Sequence, residues 1–272
     1  MTIDETRAAI CTLLNRVLGD DRPVLIVEDE ESFHSAEQCL RDAEKVAFDL
    51  ETAATGSGLR WWADDARVVT AAFSTPTLHI AVGLSHPQSP VQASDDDLNV
   101  LVAAAFSGGA TVYGHNIKFD LHWIDTNKQV DVQWSQVVDT LLTSRLLDET
   151  APGGLKERAV ADLGIERWDE GVNLSDPEST PFADLLAYNV LDTAVTLRLG
   201  VHHERMLDVD PAEADPNVDP EAWFRSMHHA LLHAHVTPAW GALHAAEHNG
   251  MMLDVEHVLD DLERCEHEKV SL

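Results

Sequence analysis

One stretch constrains this chain more than any other: the apolar run Val46-Ala47-Phe48 leads straight into Asp49-Leu50-Glu51. A run of that kind reads as a buried strand, and on a strand alternate side chains face opposite ways. Asp49 and Glu51 therefore project together, while Phe48 and Leu50 point to the packed side. Two carboxylates held side by side repel unless a cation offsets them. Hard oxygen donors of this type suit Mg²⁺ or Mn²⁺. The plainer reading, an exposed acidic strand end, is common in proteins of every kind.

The surrounding pattern says what sheet this strand belongs to. An amphipathic helix is expected from Ile3 to Leu18, closed by Gly19 through Pro23. Strands are expected at Val24–Val27, Val46–Leu50, Arg67–Ser74, Thr77–Gly83 and Thr111–Tyr113, with another at Val130–Trp134. Helices are expected from a Ser cap at Ser32 to Ala43, from Asp95 to Phe106, from Lys118 to Ile124 and from Val138 to Leu147. A helical segment covers 154–164, and Thr180-Pro181 supplies a cap and first-turn proline for a helix from Phe182 to about Met206. Strands grouped early and then alternating with helices predict an α/β fold, a mixed sheet of about five strands flanked by helices. Four units follow: a leading helix at 1–22, the α/β unit at 23–207, an acidic linker or loop at 208–220, and a helical extension at 221–272 that breaks at Asn249-Gly250.

Two further acidic motifs stand at element ends, Asn116-Ile117-Lys118-Phe119-Asp120 and Tyr188-Asn189-Val190-Leu191-Asp192. Tyr188 and Asp192 are four apart and share a helical face, which sets a phenol beside a carboxylate. Asn116 is placed to cap the helix that carries Asp120, and Lys118 between them is either a phosphate contact or a surface lysine. Asp49, Asp120 and Asp192 fall at near-equal intervals. Four acids gathered from such distant points can bind a pair of divalent metal ions, an arrangement that hydrolyses phosphodiesters.

Composition narrows the alternatives. The 272 residues carry a net charge of -30, with 48 acids against 18 Lys and Arg. That balance argues against tight, sequence-independent duplex binding. It leaves room for a small cleft where metal ions neutralise phosphates. Lysine is confined to Lys45, Lys118, Lys128, Lys156 and Lys269, which fits adaptation to high salt. Cys11, Cys39 and Cys265 are scattered and suggest neither a disulfide framework nor a zinc site. No apolar run is long enough for a membrane span and the amino end lacks a signal pattern, so a cytoplasmic protein without a membrane partner is expected. His228, His229, His233, His235, His244 and His248 crowd the tail, and their spacing reads as an exposed helix rather than a metal site.

Taken together, Phe48 to Thr52, Gly114 to Asp120 and Tyr188 to Asp192 resemble the three motifs of the DEDD exonuclease superfamily, in its tyrosine-containing branch. Within it the chain looks most like the proofreading domain of family-A DNA polymerases, the DNA polymerase I type. Asp139-Thr140, Leu155-Lys156 and the passage from Ala245 to Asp254 are similar to segments of that family, the last to the opening of its polymerase domain. The resemblance spans roughly residues 24–255 and implies a ribonuclease H-like fold with only the threshold of a polymerase attached. It implies that Asp49, Glu51, Asp120 and Asp192 hold two divalent metal ions, Mg²⁺ or Mn²⁺, that Tyr188 orients the attacking water, and that Asn116 and Phe119 touch the terminal nucleotides, with His115 and Lys118 beside them. His115 stands where glutamine is usual and Phe119 where tyrosine is usual, and the Gly56 to Trp62 insertion leaves the strand wedge unassigned. The implied activity is 3′-5′ hydrolysis of a single-stranded or frayed DNA end, releasing nucleoside 5′-monophosphates during replication. A separately encoded family-A polymerase domain is the implied partner, and a viral origin, with the host cytoplasm as location, would suit such a divided gene. Two alternatives stand beside it: an RNase D-like 3′ exoribonuclease, and a non-catalytic module that docks on a polymerase.

Overall fold

Six short apolar runs pair into one mixed sheet in the order β1-β4-β3-β2-β5-β6. They are β1 (Val24–Val27), β2 (Lys45–Ala53), β3 (Arg67–Ser74), β4 (His79–Gly83), β5 (Thr111–Gly114) and β6 (Val137–Asp139). The computed structural model describes residues 2–54, 61–124, 130–169, 171–173, 175–208 and 218–249. β2 and β3 are antiparallel neighbours, as are β3 and β4, whereas β2 runs parallel to β5, β5 to β6 and β1 to β4.

Each face of the sheet is covered by helices, and the alternation along β2 shows how. Val46, Phe48 and Leu50 join Phe73, Ile80 and Val112 in a core closed by α2 (Glu30–Asp42) and α3 (Asp95–Ser107). The opposite face packs on α1 (Ile3–Leu18) and on the 26-residue α7 (Phe182–Leu207), which is buried along most of its length. Such a helix has to approach the sheet closely, and Gly200 permits it: a methyl group there would fall 2.1 Å from Cδ1 of Tyr113. Buried hydroxyl contacts fix the pairing, with Ser74 Oγ 2.8 Å from Thr193 Oγ1 and Thr70 Oγ1 donating to Asn189 Oδ1 at 3.1 Å.

The expected α/β arrangement holds, with corrections of detail. The sheet has six strands rather than about five. Residues Val130–Trp134 are not a strand: Val130 is buried in the core and Trp134 opens a short 3-10 turn to Gln136. The edge strand is Val137–Asp139 instead, and the helix expected from Val138 is α5 (Thr140–Leu147), capped by Asp139. The helix after β5 is one turn, α4 (Ile117–Leu121), shorter than expected. In α2 the cap is Asp29 and not Ser32, which is the third residue of a reciprocal capping box. Thr180 does not cap α7; its Oγ1 accepts the Asn173 N–H at 3.1 Å, and Pro181 holds the cap position with no side-chain bond. α6 (Leu155–Leu163) lies as expected, closed by a left-handed Gly164.

After residues 209–217, which lie outside the described residues, α8 (Pro220–Leu231) passes through a π-helical turn at Leu232–Val236 into α9 (Thr237–Asn249). α9 packs on α4 and on Trp134, where Gly241 gives the clearance, since a methyl there would lie 2.7 Å from the ring. Residues 250–272, with the second half of the polymerase-like passage and Cys265, and residues 56–60 of the insertion lie outside the described residues. Among the described residues no helix is long and apolar enough to cross a membrane.

Candidate active site

The end of β2 next to β3 carries the first two acids. Asp49 and Glu51 face α7, and a register shift between Glu51 and Thr52 marks a bulge where the strand leaves the regular ladder. Bulges of this kind re-aim a side chain at a strand's end. α7 answers with Tyr188, Asn189 and Asp192 on the turn facing β2, and α4 presents Asp120. Carboxylate oxygens of Asp49, Glu51 and Asp192 lie within 4.8 Å of one another. Asp120 joins them through its Oδ1, which accepts the Leu50 N–H at 3.1 Å. All four acids and Tyr188 line one cleft of about 240 Å³, with His115 and Phe119 on its wall.

The acids are oriented by specific donors. Asn189 Nδ2 donates to Asp49 Oδ2 at 2.7 Å and to the Asp49 carbonyl at 3.2 Å. Trp168 Nε1 donates to Asp192 Oδ1 at 2.5 Å, and Lys156 Nζ donates to both Asp192 Oδ2 and Tyr188 Oη at 2.5 Å. Burial, and then the Asp192 charge, push the Asp49 carboxyl up to about 7. Burial raises Glu51 and Asp120 well above the usual carboxylate range, with the Asp49 charge adding to both. The Tyr188 phenol is raised by burial and by Asp192, so it keeps its proton at neutral pH. Three carboxylates held short of full ionisation by burial and then by their neighbours' charge make a site that favours added positive charge. The donor set is all oxygen, so it fits Mg²⁺ or Mn²⁺.

The structure brings together Asp49, Glu51, Asp120, Tyr188 and Asp192, with His115 and Phe119 beside them. The other two expected contacts are placed differently. Asn116 adopts a left-handed backbone (φ 62°) and makes no side-chain cap; its N–H and that of Ile117 go to Asp139 Oδ1 and Oδ2 at 2.9 and 3.1 Å. Lys118 turns from the cleft to Glu247 of α9, at 2.6 Å, with the Trp240 ring 4.6 Å from its Nζ. Sequence reasoning gave no site role to Asn189, Trp168 or Lys156, although Asn189 lies within the third motif and Lys156 within the Leu155-Lys156 pair. Asp139, known from sequence only by its neighbourhood, is the buried acceptor that fixes the loop carrying Asn116.

Residues 24–208, which contain all five of these groups, match the family model described as 3′-5′ exonuclease. The chain belongs to the 3′-5′ exonuclease family. Among curated proteins none matches it. Solved structures place the exonuclease fold. The Nibbler EXO domain of Aedes aegypti is similar at 16% identity and a TM-score of 0.54, over 77% of this chain and 95% of that one. The RRP6 catalytic core of Trypanosoma brucei is similar at 15% identity and 0.52, over 82% of this chain and 52% of that one, so the exonuclease spans about half that core. RNase D of Trypanosoma brucei in complex with GMP is similar at 14% identity and 0.51, over 82% and 74%. The fold is thus ribonuclease H-like, as the motifs implied, and these neighbours do not carry the polymerase branch that the motifs also suggested.

Proposed function

We propose that this exonuclease shortens a single-stranded nucleic acid from its 3′ end by metal-dependent hydrolysis, releasing nucleoside 5′-monophosphates. The observation that carries the proposal is the convergence of Asp49, Glu51, Asp120 and Asp192 on one cleft beside a protonated Tyr188. Asp49, Glu51 and Asp192 would hold one divalent ion, and Asp49 with Asp120 a second. When bound, such a pair stabilises the attacking and leaving oxygens of an in-line displacement. Tyr188, which accepts from Lys156 at Oη and has Asp192 as a second side-chain partner, would orient the attacking water with its retained proton. Lys156 holds Tyr188 and Asp192 in one geometry, and Asn189 does the same for Asp49. Phe119 on the cleft wall offers a face on which a terminal base can stack without sequence preference.

For the strand itself, the fold likeness to RNase D favours an RNA 3′ end over the DNA end expected from the motifs. The bound GMP of that protein is a mononucleotide of the kind proposed here as product. The DNA proofreading reading, with a polymerase domain as partner, rests on a separate observation: the motif flanks and the Leu155-Lys156 pair resemble the family-A exonucleases.

The test uses 5′-labelled single-stranded RNA and DNA of one sequence, each with Mg²⁺ or Mn²⁺, and the Asp49→Ala variant as control. The expected result is a ladder shortening from the 3′ end that the variant does not produce, faster on RNA. Faster shortening of DNA would install the proofreading reading. Binding of either strand without shortening, in both metals and across low and high salt, would overturn the enzyme and leave a docking module.

A further inference from the structure

Glu247 ties α9 to α4 twice, through Lys118 and through Nε2 of His122 at 2.7 Å, and beside it three histidines meet. His122 ends α4, while His244 and His248 lie one turn apart on α9 and so share a face. One ring nitrogen from each lies within 4.8 Å of the others. His122 is 8% exposed, and His244, expected on an exposed tail helix, is 5% exposed. Each ring also holds a buried nitrogen with no hydrogen-bond partner: Nδ1 of His122, Nε2 of His244 and Nδ1 of His248. Burying a polar atom unsatisfied costs about 1–3 kcal/mol, and three such nitrogens gather here on rings that stack, His122 on His244 with centroids 4.6 Å apart.

We propose that His122, His244 and His248 form a binding site for one zinc-class divalent ion, separate from the carboxylate cleft, that clamps α9 onto α4. Three imidazoles are a borderline-soft donor set, which selects Zn²⁺ over the Mg²⁺ or Mn²⁺ suited to the acids. Glu247 supplies the outer support that such sites use: by accepting from Nε2 of His122 it fixes the tautomer and leaves the buried Nδ1 with an unused lone pair. The Trp61 ring lies flat against His122 and His248, with centroids 5.1 and 4.7 Å away, and walls the group. The ion would join the segment after the acidic linker to the helix that carries Asp120 and Phe119.

The untagged full chain is stripped with EDTA, given Zn²⁺ in the presence of excess Mg²⁺, desalted, and measured for metal content and thermal midpoint, with Co²⁺ absorption as a coordination probe. One zinc per chain is expected in the wild type and in the Asp49→Asn/Asp192→Asn double variant, with tetrahedral Co²⁺ bands in both. Retained zinc should fall at least about tenfold in His244→Gln and in His248→Ala, and the zinc-dependent rise in midpoint should vanish with it. His248 is only partly buried, so His248→Ala reports even if the His244 variant fails to fold. No retained zinc in the wild type would overturn the proposal, and so would zinc kept by the histidine variants but lost from the carboxylate variant.

Discussion

Lys156 sets its ammonium against Asp192 and Tyr188, and the cleft around them keeps Asp49, Glu51 and Asp120 reluctant to ionise. Removing one of the mutually repelling acids should stabilise the metal-free fold while disabling it. Asp49→Asn is expected to raise the midpoint in EDTA by about 2–4 °C, a gain of roughly 1 kcal/mol in a chain of this size, and to lower hydrolysis by about 10²–10³-fold. Scanning fluorimetry and a gel assay on the same preparation check both signs. Lys156→Met should lower kcat by about 10–100-fold with KM nearly unchanged, because the ammonium orients groups and is not a strand contact. A rise in KM with kcat intact would refute that role. His79 belongs to a different balance. Burial, helped by the Arg22 charge, depresses this fully buried imidazole to about 4, so the fold prefers it neutral. Its contribution is complete above the unfolded value near 6.5 and is lost as pH falls towards 4, up to about 3 kcal/mol in all. His79→Gln should therefore show a shallower loss of urea stability between pH 6.5 and 4.5 than the wild type, and parallel curves would sink the assignment.

Asp139 shows how a single acceptor can organise two elements. It receives N–H bonds from Asn116, Ile117 and Leu141, joining the turn after β5 to the start of α5. Asp139→Ala would strand those donors inside the protein, and a loss of about 3 kcal/mol in denaturant midpoint analysis is expected, with Asp139→Asn costing less because one acceptor remains. The same place marks the limit of what sequence reveals. The strand expected at Val46–Leu50, which extends over Lys45–Ala53, was legible because the apolar Val46-Ala47-Phe48 and an i, i+2 pair of acids encode it locally. β6 was not, because three residues carry no period and Val137-Val138 read equally well as the first turn of the helix behind them. Tyr188 and Asp192 were visible through helical spacing. The donors that hold them were not, since Lys156 and Trp168 reach Asp192 from separate segments and only the fold makes them neighbours. The convergence of His122 with His244 is of the same kind: a pair brought together by packing of α9, with no local pattern to announce it.

At the scale of the molecule, a net charge of -30 means that repulsion works against compactness. Raising KCl from about 0.05 to 1 M shortens the screening length to roughly 3 Å and should raise the midpoint by several degrees. A falling midpoint would show that the ion pairs, such as Arg198 with Asp20, outweigh the repulsion. The direction of the strands has a consequence of another sort. Because β2 is antiparallel to β3 and parallel to β5, the chain leaves β2 at Ala53 and returns at Arg67 on the same rim where β5 delivers Gly114 and His115. The acids are written on the regular elements of the chain, Asp49 and Glu51 on β2, Asp120 on α4 and Asp192 on α7. A change of length between Ala53 and Arg67 leaves every one of these acids anchored in sheet or helix, so that connection can vary without the catalyst being rebuilt.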